Sequence, residues 1–464
     1  MFRNISDNIL LVIFILVNVV LYILSYEGAS FLEGADASQY YYPALSFVEQ
    51  GRFNSGAGTP VTFGPPLYSM LLAVPIYFFG FEDSAPAIVF IQCILLYLTG
   101  FLCRQILFQF SSKYAFFLHA IVIFNPNSLI TAHLIQSETL FTLFFVCSVI
   151  FAFKTLTDFS FKNLILIGLF TGLATLVRPV ALYLLLVWPL FIFIALIIKS
   201  RLDFGNLNIF NTKRSWAKLL IIVIVGGLVI SPWYVRNYIK FGELFFSSNS
   251  GDYLELQYIR LKNKGAGWSI ADANQEHDRI FIDYLDKEGE SNFCFNNSNH
   301  WSCNSVHSRA SLTAMKLEPI EVHFKALIHS WGTLFFSGGA SNIRNYLGFE
   351  GKSLIVNFQN SSFSGLDSIV RLVKDMNFAY LLIFVLTFTF SVVTRFIGLF
   401  GVFYLFRKKE WLPYSFLLIE VLSIFVAAYL YLGQSRFRVP LEPILMLFTI
   451  IGIIYVSKKL KKVK

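Results

Sequence analysis

GLATLVRPVALYLLLVWPLFIFIALIIKSR, residues 172–201, holds two apolar runs that meet at a single arginine and proline. The second run, 180–198, is close to the ~20 residues that a helix needs to cross a bilayer. It ends on Lys199 and Arg201, and short loops rich in Lys and Arg stay on the cytoplasmic side. Arg178-Pro179 then forms a tight hairpin on the opposite side. Runs of the same kind recur at 8–25, 86–109, 115–131, 137–153, 163–177, 217–234, 379–405, 412–432 and 440–457, which gives about ten spans. They are too long and unbroken for barrel strands. The fold class is therefore an all-α polytopic membrane protein.

Composition agrees. Of 464 residues 56% are hydrophobic, and only 14% are charged, against about 25% in soluble domains. The net charge of +9 does not imply nucleic acid, because five lysines lie in Lys458–Lys464, directly after the last run. They read as a cytoplasmic anchor. Run 8–25 lacks a small-residue cleavage site and reads as a retained helix. Pro66–Gly80, with Pro75 inside, reaches only about 22 Å and reads as interfacial or re-entrant. With ten spans, the basic clusters after runs six, eight and ten all fall inside, together with both termini. Three parts follow: 1–234 with a first outer loop 26–85, a large outer loop 235–378, and 379–464.

The outer face collects unusual charges. Asp36 lies in the first loop, where a carboxylate near a membrane is costly without a task. Glu138 opens a helix. It is either a first-turn acid that favours the helix dipole or a second carboxylate beside Asp36. Arg178, Arg236, Arg436 and Arg438 stand at outer helix ends, where no cytoplasmic bias requires them. Arginine can snorkel to an interface, but its rigid fork of donors also suits phosphate. Together these groups suggest a site for a phosphate-bearing lipid.

In the large loop, Leu317–Phe336 has the apolar spacing of a helix lying on the membrane surface. Ala271–Glu290 is acidic and reads as a soluble helix. Cys294 and Cys303 are a local disulfide or two free thiols; an outer loop favours the bridge. His277, His300, His307, His323 and His329 have no ligand-like spacing, so no metal site is expected. His133 shares the turn that leads to Glu138.

Five motifs, in order, carry a family resemblance: Asp36-x-x-x-Tyr40-x-x-x-Ala44 with Gly51; Pro65-Pro66-Leu67-Tyr68; Ser137-Glu138-Thr139-Leu140-Phe141; Gly172 to Pro179; and Pro232-Trp233-Tyr234-Val235-Arg236-Asn237-Tyr238. The turn Arg436-Phe437-Arg438-Val439-Pro440 fits as well. The chain resembles the C-type (GT-C fold) polyprenyl-phosphate-sugar glycosyltransferases of the family 39-like group, which include protein O-mannosyltransferases and the lipid A aminoarabinose transferase. The match covers residues 1–245 well, the last helices loosely and the large loop hardly at all.

The resemblance implies an inverting transfer of a sugar from a polyprenyl-phosphate donor to an acceptor hydroxyl, with no cofactor. Asp36 would be the general base. Arg236 and Arg436, with Arg178 as a further candidate, would hold the phosphate, Arg438 would also bind substrate, Glu138 would bind hydroxyls or orient an arginine, and Tyr40 and Tyr68 would line the sugar pocket. Many members carry Asp-Glu where this chain has Asp36-Ala37, so no metal site built on such a pair is expected. No large C-terminal soluble domain like those of oligosaccharyltransferases is expected, and on that expectation a glycan or lipid acceptor is favoured over a protein. The compartment expected is a bacterial inner membrane with the site facing outward. Lys461-Lys462-Val463-Lys464 also fits a eukaryotic dilysine signal. A lipid-linked glycan polymerase or ligase and a lipid-linked solute flippase are the other readings.

Overall fold

The computed structural model describes residues 2–25, 36–108, 110–202, 212–288, 294, 301–349 and 377–463. These are almost wholly helical. The β pairing present among them is one isolated bridge, Asn54 with Pro60. The first half contains α1 (Phe2–Ile23), α2 (Ala37–Gln50), α3 (Leu67–Asp83), α4 (Ala85–Phe108), α5 (Ala115–Ile123), α6 (Pro126–Thr131), α7 (Glu138–Thr157), α8 (Phe161–Thr175), α9 (Ala181–Leu202) and α10 (Thr212–Phe241). Beyond them lie α11 (Ser250–Leu261), α12 (Ile270–Glu288), α13 (Asn304–Leu317), α14 (Ile320–Phe336) and α15 (Ala340–Tyr346). The chain closes with α16 (Phe378–Arg407), α17 (Leu412–Ala428) and α18 (Glu442–Val463).

Among the described residues, six helical stretches are long and apolar enough to cross a membrane: Ala85–Phe108, Glu138–Thr157, Ala181–Leu202, Ser215–Phe241, Phe378–Arg407 and Ser435–Leu460. Shorter apolar helices cover Asp7–Ile23, Phe161–Thr175 and Leu412–Ala428. Glu138–Thr157 and Ser435–Leu460 are mostly buried and form the centre of the bundle, whereas Ser215–Phe241 and Phe378–Arg407 bury little and form its rim.

One expected span is corrected. Residues 115–131 are not a single helix. The chain turns extended at Asn125 (φ −61°, ψ 121°), whose Oδ1 accepts from Asn127 N and Ser128 N and caps a new helix with Pro126 in its first turn. An Asn-Pro pair favours this break, because Asn caps well and Pro suits the first helical turn. The Asn125 amide then donates 2.9 Å to Glu442 Oε2, so the break also joins α5 and α6 to α18.

Close helix contacts rest on glycine. A Cβ on Gly168 would press into Ile222 O of α10, and one on Gly226 would strike the Leu185 side chain of α9 and crowd Gly168 O, so α8 and α10 lie almost in contact there. This is the small-residue packing of membrane helices.

Helices α12 and α13 share a small core with Cys294 and Cys303, which are bonded to each other, and α11 packs against both helices. His277 and His307 are buried here, facing Glu255 at 3.9 Å and 3.6 Å. His300 lies outside the described residues. In α14, Ile320, Phe324, Ile328 and Trp331 are exposed, whereas Ala326, Ser330 and Leu334 pack inward. Lys264 ties this region to the bundle: its Nζ donates to Ser330 Oγ and to the carbonyls of Tyr431 and Leu432.

Candidate functional site

Asp36 occupies the N-cap position of α2 but makes no cap hydrogen bond with its side chain. Its carboxylate turns away and accepts from Arg436 Nη1 at 2.6 Å. Arg436 belongs to the 3-10 turn Ser435–Leu441, at the far end of the sequence. Giving up an N-cap bond costs on the order of 1 kcal/mol, so the ion pair decides where this acid points.

A second pair lies beside the first. Glu138 Oε1, in the first turn of α7, is 2.5 Å from Arg178 Nη1, at the hairpin between α8 and α9. The Phe437 ring bridges the pairs: Arg436 Cζ is 4.8 Å and Arg178 Cζ 5.9 Å from its centre. Phe437 itself stacks on Tyr429 at 4.4 Å. A polar link runs on the other side, where the Tyr40 hydroxyl lies 3.2 Å from Ser137 Oγ and Arg178 Nη1 lies 3.5 Å from the same oxygen.

Exposure separates the two acids. The Asp36 side chain is 29% exposed and that of Glu138 only 3%. Asp36 is partly open to its surroundings, whereas Glu138 is closed off behind Arg178. Burial works against the Arg178 charge, but the Glu138 carboxylate and neighbouring phenols more than offset it and raise its pKa. Burial also pushes the Tyr40 phenol up, which keeps it protonated.

The turn that presents Ser137 and Glu138 is held from two sides. Tyr68 donates 2.7 Å to Gln92 Oε1, and Gln92 Nε2 donates to the carbonyls of Ala132 and Leu134. His133 Nε2 pairs with Asn18 Oδ1 at 2.8 Å, and His133 Nδ1 with the Tyr346 hydroxyl at 3.0 Å. Burial lowers the His133 pKa from 6.5 to about 4. Between those values the unfolded chain binds a proton that the folded one does not. This contribution to stability is therefore whole above pH 6.5 and is lost as pH falls toward 4. His133→Gln is expected to flatten the fall in unfolding temperature over that window; an unchanged pH profile would count against a neutral His133.

Three expected contacts are not brought into the cluster. Arg236 is turned onto the first loop: Nη1 donates 2.6 Å to Val61 O and Nη2 3.3 Å to Phe53 O, with the guanidinium 4.6 Å over Trp233. Arg438 is fully buried and saturated by Glu442 Oε1 and the carbonyls of Leu334 and Ser337. Tyr68 is also fully buried, and its ring meets Tyr40 edge-on at 4.9 Å, so it supports the site from behind. Arg236→Ala is expected to loosen residues 53–61, at about 2 kcal/mol for lost charged hydrogen bonds. Limited proteolysis checks this; a loop cut no faster than in the parent would refute it.

Sequence reading missed Phe437, Gln92 and the buried group around Glu442. That carboxylate accepts from Arg438 Nε at 2.5 Å, from Arg395 Nη2 at 2.9 Å and 2.8 Å, and from Asn125. Arg395 in the middle of an apolar run, and the Arg438–Glu442 spacing of one helical turn, were available signals. Among the described residues, no three His, Cys, Asp or Glu side chains are arranged to hold a metal.

No family model and no curated protein sequence matches this chain. Solved structures do. The apo oligosaccharyltransferase of Archaeoglobus fulgidus superposes with a TM-score of 0.52 at 16% identity, over 97% of this chain and 50% of that one. The same organism's oligosaccharyltransferase AglB, in complex with an inhibitory peptide and a dolichol-phosphate, gives 0.50 at 14% identity, again over 97% and 50%. ArnT of Cupriavidus metallidurans bound to undecaprenyl phosphate gives 0.40 at 13% identity, over 97% and 78%, too loose a superposition to bear on the fold. This chain spans about half the length of the oligosaccharyltransferases it matches. It has the helical membrane fold of the C-type glycosyltransferases.

Proposed function

We propose that the protein is a membrane glycosyltransferase that moves a sugar from a polyprenyl-phosphate donor to an acceptor hydroxyl, with Asp36 as general base. The observation that carries this reading is the pairing of Asp36, the more accessible of the two carboxylates in this cluster, with Arg436, beside a second arginine held by Glu138. A base and a phosphate receptor then lie within one side-chain reach. The fold is shared with AglB, which was solved with a dolichol-phosphate, and this supports a lipid phosphate as the leaving group.

In the resting protein Asp36 and Arg436 neutralise each other. A donor phosphate arriving at Arg436 competes for its guanidinium and frees the carboxylate. Asp36 then takes the proton of the acceptor hydroxyl while the hydroxyl oxygen bonds to the anomeric carbon. The bond from that carbon to the phosphate oxygen breaks, and the lipid phosphate leaves as an anion stabilised by Arg436 and Arg178. It needs charge stabilisation more than a proton, which suits arginines. Attack opposite the leaving group inverts the anomeric centre. A glycan or lipid acceptor, and a bacterial inner membrane with the site facing outward, complete the reading.

The test is an assay with purified protein, radiolabelled polyprenyl-phosphate sugars and glycan or lipid acceptors. Release of lipid monophosphate together with labelled acceptor supports it. Release of lipid diphosphate marks a polymerase or ligase, and movement of intact donor across the bilayer marks a flippase; either overturns it.

A further inference from the structure

Helices α16 and α18 run parallel and interlock through glycine: a Cβ on Gly401 would strike Phe448 O, and one on Gly452 would strike Ile397 O. Beyond this contact the helices carry large rings, with Tyr404 and Tyr455 centred 5.2 Å apart, and a groove of about 610 Å³ opens between them. Phe396, Leu399, Phe400 and Phe403 line one wall, and Tyr455 and Lys459 the other. Lys459 is part of the groove wall and lies 5.5 Å from the Tyr455 ring, and two further cations stand over neighbouring rings, Arg407 5.3 Å from Phe403 and Lys458 6.0 Å from Tyr404. None of the three has a carboxylate partner among the described residues.

The position of the groove identifies its occupant. The apolar stretches Phe378–Arg407 and Ser435–Leu460 end at these cations. The groove therefore lies at acyl-chain depth with its mouth at headgroup level. Lys459 is about 26 Å along α18 from Glu442, at the opposite end of the bundle from Asp36 and Arg436. Three cations at that level favour a negative headgroup. We infer that this groove binds an anionic phospholipid, its phosphate against Arg407, Lys458 and Lys459 and one acyl chain along Phe396, Leu399, Phe400 and Phe403. The site is separate from the sugar-transfer site and does not depend on that activity.

The test uses full-length protein equilibrated in mixed micelles with equal dioleoyl-phosphatidylglycerol and dioleoyl-phosphatidylcholine, with the co-purifying lipid measured by mass spectrometry. About a tenfold preference for phosphatidylglycerol is expected at low salt, falling toward parity at about 0.5 M NaCl as screening sets in. The triple variant R407Q/K458Q/K459Q should lose the preference. Excess glycerol phosphate, a headgroup without chains, should not displace the lipid. Equal retention of both lipids overturns the inference, as does a preference that survives in the triple variant or at high salt. Full displacement by glycerol phosphate would make this a free-phosphate site and also overturn it. If the triple variant does not fold, the salt series on the parent protein decides.

Discussion

Asp36→Asn is expected to reduce sugar transfer by about two to four orders of magnitude, the usual contribution of a positioned general base. The amide keeps the shape of the side chain and offers an oxygen to Arg436 Nη1, so the fold should hold. What it loses is the ability to take a proton. Donor binding should therefore stay within about threefold of the parent, since the phosphate depends on Arg436 and Arg178. Single-turnover transfer together with donor binding separates the two effects. Transfer at the parent rate would sink the assignment of Asp36 as base. Lost donor binding would instead make Asp36 a residue that positions Arg436.

Glu442→Gln should have the largest effect on stability. The carboxylate is fully buried and is the counter-charge for both Arg395 and Arg438. Removing one member of a buried ionic group costs about 3–5 kcal/mol, because the remaining charges stay desolvated without compensation. Here two guanidiniums would be left. Asn125 would also lose a charged acceptor at the break between α5 and α6. The expected result is a sharp fall in the unfolding temperature in detergent. An unfolding temperature within a degree or two of the parent would show that Arg395 and Arg438 find other partners.

Legibility in the sequence followed the range of the interactions. Asp36 stood out because a carboxylate beside apolar runs is costly wherever the chain folds. Glu138 and Arg178 stood out for the same reason, and the structure pairs them. Arg236 and Arg438 looked no different from Arg436, since each follows or precedes an apolar run at the same end of the bundle. Their roles diverge through neighbours remote in sequence: Phe53 and Val61 for Arg236, Leu334 and Ser337 for Arg438, Asp36 for Arg436. The span expected over 115–131 failed for a local reason. Hydropathy averages over Asn125-Pro126, although that pair is a strong signal for a helix start.

The sequence alone determined that this is a helical membrane protein. Long apolar runs must satisfy their backbone hydrogen bonds internally once water is gone, and only helices of this length do so. It also singled out Asp36, Glu138 and the outer arginines as costly charges, though not Arg395 or Glu442. The tertiary structure decided which arginine meets which acid. A guanidinium can pair with any carboxylate within reach, and reach is set by how α2, α7, the hairpin at Arg178 and the turn at Arg436 pack together. That packing leaves Asp36 partly open, closes Glu138 behind Arg178 and buries Arg438 altogether.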